Sequence, residues 1–144
     1  MEQLIQQMKV ILGTNFGLYF KSHSFHWNIE GSDFVQYHTY LGEFYTAIFG
    51  NTDIIAEKIR MLGAYAPTGI SRMIELSAVE EVDSIPSPIG MFDMLVSDND
   101  KLIMQIKAGI VLADSANEPA ISNFLQDLLD QHQKHAWFLK SISK

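Results

Sequence analysis

The sequence predicts an all-α fold of four long helices, with one short extra helix in the connection between the second and third. Three observations predict it. Apolar residues recur at helical spacing over four long stretches, no stretch alternates with comparable strength as an amphipathic strand would, and turn-forming or helix-breaking residues separate the stretches. There is no internal repeat. A chain of 144 residues is expected to form a single domain, residues 1–144.

The first two helices are predicted over residues 3–27 and 34–62, where apolar side chains follow the helical period. A polar turn joins them, and Gly63 is placed to end the second helix. Gly13 and Gly17 weaken the first helix by about 1 kcal/mol each relative to Ala, but small residues four apart permit the close approach of another helix.

The later helices are separated by a long connection. A short helix is predicted over Ser71–Leu76, Pro86 and Pro88 are expected to break the chain, and the last two helices run from about Gly90 to Ala113 and from Pro119 to Ser141. A connection of about 25 residues is too long for an antiparallel hairpin and suits a bundle with one long crossover, as in ferritin-like four-helix bundles.

Four side chains suited to metal binding lie within a 32-residue window: His26, His38, Asp53 and Glu57. Asp53 and Glu57 are four residues apart and project from one face of a helix, where two like charges repel by a few tenths of a kcal/mol. Apolar neighbours flank them, and charges near apolar surface need a partner, for which a metal ion is one candidate. Taken singly, each residue is more often an ordinary hydrogen-bonded histidine or a solvated carboxylate.

The spacing of these residues indicates a site shared between chains. His38 is expected on the same helix as Asp53, and fifteen residues separate them by about 22 Å along the axis. Because metal–ligand bonds are about 2.0–2.2 Å long, one ion cluster bound by all four residues needs two chains. The Glu-x-x-His motif of single-chain di-iron bundles is absent. Imidazole and carboxylate ligands suit iron, zinc, manganese or copper, and the lack of thiolates favours iron or another redox-capable ion.

Composition narrows the possible functions. The formal net charge is −7, which repels nucleic acid and attracts cations. There is no cysteine, which excludes disulfides and thiolate sites. No apolar stretch is long enough to span a membrane, and the start of the chain does not have the pattern of a signal peptide. We therefore expect a cytoplasmic protein without membrane contact.

Three segments resemble the Dps family of miniferritins (DNA-binding proteins from starved cells): residues 21–31, 53–63 and 131–140. Within and between them lie the His26-Trp27-Asn28 run, His38 and the Asp53-x-x-x-Glu57 pair, which are specific in combination although each alone is weak. The similarity covers nearly the whole chain.

This resemblance implies a hollow homo-oligomer of twelve subunits that oxidises Fe(II) at two-fold interfaces. His26 and His38 would come from one subunit, and Asp53 and Glu57 from its neighbour. Hydrogen peroxide or oxygen would accept the electrons, and ferric mineral would collect in the cavity. Such a protein is a ferroxidase that stores iron and protects against oxidative damage.

One position departs from the family pattern. Members often carry Asp four residues after the second histidine, where this chain has Gly42, and Glu43 points about 100° away on a helix. We expect one carboxylate fewer, with one ion bound by His26 and Glu57 and a weaker second position. The resemblance also makes Trp27 a candidate electron donor that quenches oxidising equivalents, and a core or interface anchor is the alternative.

Other polar and aromatic residues have weaker signals. His23 is expected to be an ordinary surface or interface residue, although it could support a ligand, and His132 and His135 are expected at the surface. Tyr37 and Tyr45 share the ambiguity of Trp27. Acidic candidates for an iron entry pore, each more simply explained as part of a solvated face, are Asp114, Glu118, Asp127 and Asp130.

Two alternatives to a ferroxidase remain at this point. A metal-binding shell or buffer, holding zinc or a single iron with weak or no oxidation, would be consistent with Gly42. A helical interaction module would make the charged residues incidental. DNA binding is not expected, because the chain is acidic and the predicted helices leave no basic tail at either end.

Overall fold

A computed structural model describes all 144 residues, which form five α-helices and no strand. The helices are α1 (Glu2–Asn28), α2 (Phe34–Met61), α3 (Ile70–Leu76), α4 (Pro88–Ser115) and α5 (Pro119–Ile142). The predicted all-α architecture is confirmed, and every helix boundary lies within two residues of its predicted position. None of the helices combines the length and apolar character that crossing a membrane requires.

The four long helices form a bundle of two helical hairpins, α1–α2 and α4–α5, which meet along α1 and α4. Their facing stripes of Leu, Ile, Met and Phe form one continuous core. This arrangement places the end of α1 beside the start of α2, since only five residues connect them. The hairpin therefore brings His26 and His38 to the same end of the bundle.

The short helix α3 packs directly against α1, where small residues allow the close approach that the sequence predicts. A Cβ atom added at Gly13 would lie 2.6 Å from the Cβ of Leu76 and 2.8 Å from the carbonyl oxygen of Met73. One added at Gly17 would lie 2.5 Å from the Oγ of Ser77. Larger residues at these two positions would push the crossover away from α1.

Local signals account for the ends of α2 and α4. Gly63 follows α2 with a φ of 88°, a left-handed conformation that glycine adopts without strain. Ser87 caps α4 by accepting a hydrogen bond from the Gly90 backbone N–H at 3.1 Å. The expectation that Pro88 breaks the chain is wrong, because Pro88 is the first residue of α4, where its missing N–H costs nothing.

A buried ion pair holds α1 to α4. The Nζ of Lys21 lies 2.7 Å from the Oδ2 of Asp98, and both side chains are almost inaccessible to solvent. Lys21 lies one turn and a half before His26 on α1. The pair therefore fixes the position of the helix that carries the first candidate ligand.

Candidate metal centre

His26 and His38 bind each other's backbone. The Nδ1 of His26 donates to the carbonyl oxygen of His38, and the Nδ1 of His38 donates to that of His26, both at 2.7 Å. The two rings stack with centroids 3.7 Å apart and planes 14° from parallel. Because a carbonyl only accepts, each Nδ1 carries the proton and each Nε2 carries a free lone pair. The two imidazoles are thus held in the tautomer that binds metal ions through Nε2.

Two local features explain why these two carbonyls can be reached. The carbonyl of His26 lies in the last turn of α1, where carbonyl groups lack an intrahelical donor. The carbonyl of His38 lies inside α2, but it is reached past Gly42, which presents no side chain. A Cβ at position 42 would lie 3.1 Å from Cε1 and 3.4 Å from Nδ1 of His26. Gly42 therefore makes room for the ring of His26.

Asp53 and Glu57 form the second pair, on the exposed side of α2. A side-chain hydrogen bond with Asp53, followed by the negative charge of Asp53, raises the pKa of the Glu57 carboxyl. The two carboxylates repel each other on one exposed face of α2, and a cation between them would relieve that repulsion.

Within one chain, the two pairs remain apart. Helix α2 continues without a break from Phe34 to Met61, so the fifteen residues from His38 to Asp53 extend about 22 Å along its axis. No three His, Asp or Glu side chains come together in a group able to hold a metal ion. The premise of the distance argument, one continuous helix, is confirmed.

Comparisons with known proteins agree on one family. The family model for the ferritin-like domain matches residues 5–144. A DNA protection during starvation protein from Bacillus anthracis is 27% identical over 125 residues, covering 87% of this chain and 86% of that protein. The corresponding protein from Brevibacillus brevis is 29% identical over 125 residues, covering 87% of this chain and 84% of that protein. The crystal structure of a Dps protein from Bacillus brevis superposes with a TM-score of 0.95 at 25% identity, covering 99% and 96% of the two chains. This chain belongs to the Dps family of ferritin-like proteins.

Trp27 lies beside the histidine pair of this Dps-family chain. Its side chain is 56% exposed, so Trp27 is not a core residue of the single subunit, and an interface anchor stays the alternative to an electron donor. The indole packs on His23 with ring centroids 4.4 Å apart, and on Phe20 edge to face. Trp27 is therefore held against the candidate site while one side of it remains open.

His23 is half-buried and packs against neighbours on both α1 and α2. Its ring stacks on Tyr45 with centroids 3.7 Å apart and planes 9° from parallel, and its Nδ1 is 3.0 Å from the hydroxyl oxygen of Tyr19. Burial, followed by the charge of the neighbouring His26, lowers the pKa of His23. Sequence reasoning did not single out Tyr19, although its spacing of four residues from His23 on one helix was the available signal.

The expectation of surface histidines near the end of the chain is wrong. His132 is fully buried, and its Nδ1 donates to the Oδ1 of Asn99 at 2.7 Å, while the Asn99 amide donates to the His132 carbonyl at 2.9 Å. Burial lowers the pKa of His132 to about 3 and that of His135 to about 4. The apolar residues at Leu125, Leu128 and Leu139 put position 132 on the core face of α5.

Tyr37 and the four acidic residues considered for a pore lie outside the metal centre. Tyr37 packs edge to face on Phe92 with ring centroids 4.9 Å apart, which is a core contact. Glu118 is half-buried at the start of α5, and the other three acidic residues are exposed: Asp114, Asp127 and Asp130.

Proposed function

We propose that this protein is a ferroxidase and iron-storing miniferritin, with its oxidation sites shared between two subunits. The observation that carries the proposal is the paired arrangement of His26 and His38, each with a metal-binding Nε2 lone pair and no protein partner for it. Asp53 and Glu57 supply oxygen ligands, but the length of α2 keeps them from the histidines of the same chain. A neighbouring subunit related by a two-fold axis would bring one pair of each kind together twice.

Fe(II) is the substrate that best fits these ligands. Imidazole nitrogen and carboxylate oxygen together bind Fe(II) and also stabilise the harder Fe(III) product. Hydrogen peroxide takes one electron from each of two Fe(II) ions and, with two protons, becomes two water molecules. Iron and peroxide are consumed together, so hydroxyl radical is not released. Oxygen is the alternative acceptor.

The proposed assembly is a hollow dodecamer that holds the ferric product. Membership of the ferritin-like family and the relatives named for DNA protection during starvation support a cage that stores iron. Twelve subunits of 16.3 kDa would elute far from a monomer or dimer in size-exclusion chromatography. Elution as a monomer would instead favour a helical interaction module.

The test of the ferroxidase proposal uses Glu57. Purified protein is loaded with Fe(II) without oxygen, given a small pulse of hydrogen peroxide, and followed by ferric absorbance and by trapped hydroxyl radical. We expect fast oxidation of two Fe(II) per peroxide in the wild type, and slow oxidation with more radical in Glu57→Ala. Glu43→Ala is the matched control, because Glu43 is an exposed carboxylate on the same helix. Equal rates for wild type and Glu57→Ala would overturn the site assignment.

A second function is favoured by Gly42. The missing carboxylate leaves the site with fewer oxygen ligands, so the protein could serve as a shell or buffer that holds zinc or a single iron. Wild-type oxidation no faster than that of free iron, together with stoichiometric zinc binding in calorimetry, would establish this alternative.

Trp27 belongs to the proposed site as an electron donor because it packs on His23.

A further inference from the structure

His132 has a ring nitrogen that is buried without a hydrogen-bond partner. Its Nδ1 donates to the Oδ1 of Asn99 at 2.7 Å, and the Asn99 amide donates to the His132 carbonyl at 2.9 Å. Because a backbone carbonyl only accepts, the amide nitrogen of Asn99 must face that carbonyl and its Oδ1 must face the ring, so Nδ1 carries the proton. The Nε2 of His132 therefore has a free lone pair, and no atom of the protein bonds to it.

This nitrogen differs in kind from the other unpartnered atoms of the interior. Three further side-chain atoms are buried without a partner, and all three are oxygens, of Asn15, Tyr40 and Gln105. A buried acceptor that is left unsatisfied costs stability. A histidine whose Nδ1 is fixed by a hydrogen bond and whose Nε2 is free has the arrangement that metal-binding histidines have. The buried lone pair of His132 therefore indicates a metal ion as its partner.

His135 provides a second imidazole, three residues later on the same face of α5. The ring centroids of His132 and His135 are 5.4 Å apart, and their planes are 69° apart. Two imidazoles bound to one ion through bonds of about 2 Å have centroids roughly 5–6 Å apart, so the two rings need little adjustment to share an ion. His135 also packs edge-on against Phe44 of α2, with centroids 5.0 Å apart, and is only half-buried. It therefore connects the buried nitrogen with the surface.

Both imidazoles are neutral near pH 7, so each keeps a lone pair. Burial, followed by the charge of His135, lowers the pKa of His132 to about 3, and burial lowers that of His135 to about 4. No carboxylate joins them, because Asp98, beside Asn99 on α4, is paired with Lys21 at 2.7 Å. No third His, Asp or Glu completes a cluster. The two residues thus offer two nitrogen ligands and no negative charge.

Two neutral nitrogen ligands select the kind of ion. Structural zinc takes four ligands, and Cu(II) prefers four in a tetragonal arrangement. A divalent ion would also bring two positive charges into the core with no carboxylate to balance them. Cu(I) carries one charge, has a filled d shell and accepts two nitrogen ligands in a nearly linear arrangement. Imidazole is a ligand that suits copper, so the chemistry of the two residues fits Cu(I).

We propose that His132 and His135 bind one Cu(I) ion between their imidazoles, in the interior of the bundle. This copper site uses none of the candidate iron ligands and does not rest on the proposed ferroxidase function. Because the two nitrogens do not supply the four ligands that Cu(II) prefers, the bound ion stays Cu(I). Free Cu(I) gives one electron to hydrogen peroxide, which yields Cu(II), hydroxide and hydroxyl radical. The bound ion is withheld from that reaction, so the site sequesters copper.

The experiment titrates the assembled protein with Cu(I), without oxygen or iron, against a colorimetric Cu(I) chelator. We expect His135→Phe, which keeps an aromatic ring against Phe44, to bind one Cu(I) fewer per subunit than the wild type. Lys134→Ala is the matched control, because Lys134 is an exposed neighbour on the same helix, and it should bind as many ions as the wild type. Circular dichroism checks that both variants keep the helical fold.

A second background removes the other histidine pair, which could also bind Cu(I). In His26→Ala/His38→Ala, one Cu(I) per subunit should remain, and its X-ray absorption spectrum should show two nitrogen ligands. Added peroxide should then release less hydroxyl radical than it does with the same amount of free Cu(I).

Four results would overturn the copper site. They are equal Cu(I) stoichiometry in the wild type and His135→Phe, no Cu(I) bound by His26→Ala/His38→Ala, a spectrum with four ligands, and as much radical as free Cu(I) gives. Iron oxidation by the wild type no faster than that of free iron would contradict the ferroxidase function and leave the copper site standing.

Discussion

Replacing Lys21 by Met removes one half of the buried ion pair that joins α1 to α4. The Nζ of Lys21 lies 2.7 Å from the Oδ2 of Asp98, and their side chains are only 9% and 5% exposed. Methionine retains most of the aliphatic length, so the loss is chiefly one of charge. The carboxylate of Asp98 would stay in the interior without its partner.

The loss of stability in Lys21→Met depends on how far another cation still neutralises Asp98. Removing one member of a buried pair costs about 3–5 kcal/mol, because the other charge is left desolvated. Lys101 has its Nζ 3.8 Å from the Oδ1 of Asp98 and is 43% exposed, so it compensates in part. We therefore expect the free energy of unfolding to fall by about 3 kcal/mol in Lys21→Met, the lower end of the range.

The assay is urea unfolding followed by circular dichroism, at one fixed protein concentration because assembly links stability to concentration. The double variant Lys21→Met/Asp98→Leu removes both charges and should lie within about 1 kcal/mol of the wild type or be more stable. Lys101→Met is the control, and its loss should be under about 1 kcal/mol because the ion pair is partly exposed.

Two results would contradict an effect of charge. A loss under about 1 kcal/mol in Lys21→Met would mean that the Asp98 carboxylate is solvated or neutral without Lys21. A double variant at least as unstable as Lys21→Met alone would mean that packing rather than charge accounts for the effect.

Three further predictions follow from the site and the core. Gly42→Ala should stabilise α2 by up to about 1 kcal/mol through helix propensity. It should also weaken Fe(II) binding, measured by anaerobic calorimetry, because the new Cβ would lie 3.1 Å from the Cε1 of His26. An unchanged affinity for Fe(II) would show that the His26 ring moves freely. Burial lowers the pKa of His132 to about 3, whereas a histidine of the unfolded chain has a pKa of about 6.5. The free energy of unfolding should therefore be greatest above about pH 6.5 and fall as the pH drops toward 3. Unfolding curves independent of pH over that window would contradict the burial of His132. No stable complex with DNA should appear in a gel shift at about 0.1–0.15 M salt without added divalent metal, because each subunit carries a net charge of −7; a shifted band would disprove this.

The helices of this protein were predictable because their signals are local. Apolar side chains at a period near 3.6, Gly63 after α2 and Pro119 at the start of α5 each act within a turn or two of chain. Pro88 was misread because proline interrupts a helix when it lies in the interior but is favoured at the first position, where Pro88 lies in α4. Only the residues around it, with Ser87 as the cap, distinguish the two cases.

The sequence identifies the candidate ligands, which stay a prediction, but it does not identify their tautomers or environment. The residue types of His26, His38, Asp53 and Glu57, and the distance that a continuous helix puts between them, follow from the sequence alone. The burial of His132 could have been read from its place among the leucines of α5. Its bond to Asn99 joins residues 33 positions apart and could not.

The all-α fold, the long crossover and the separation of the histidines from the carboxylates follow from the residues along each helix, because helical rise and side-chain period are properties of a single helix. Three contacts appear only once the helices are packed: His26 and His38 bind each other's carbonyls, Gly42 accommodates a ring, and His23 stacks on Tyr45 beside the Tyr19 hydroxyl. These contacts depend on the relative rotation and displacement of α1 and α2, which the spacing of residues along either helix does not specify.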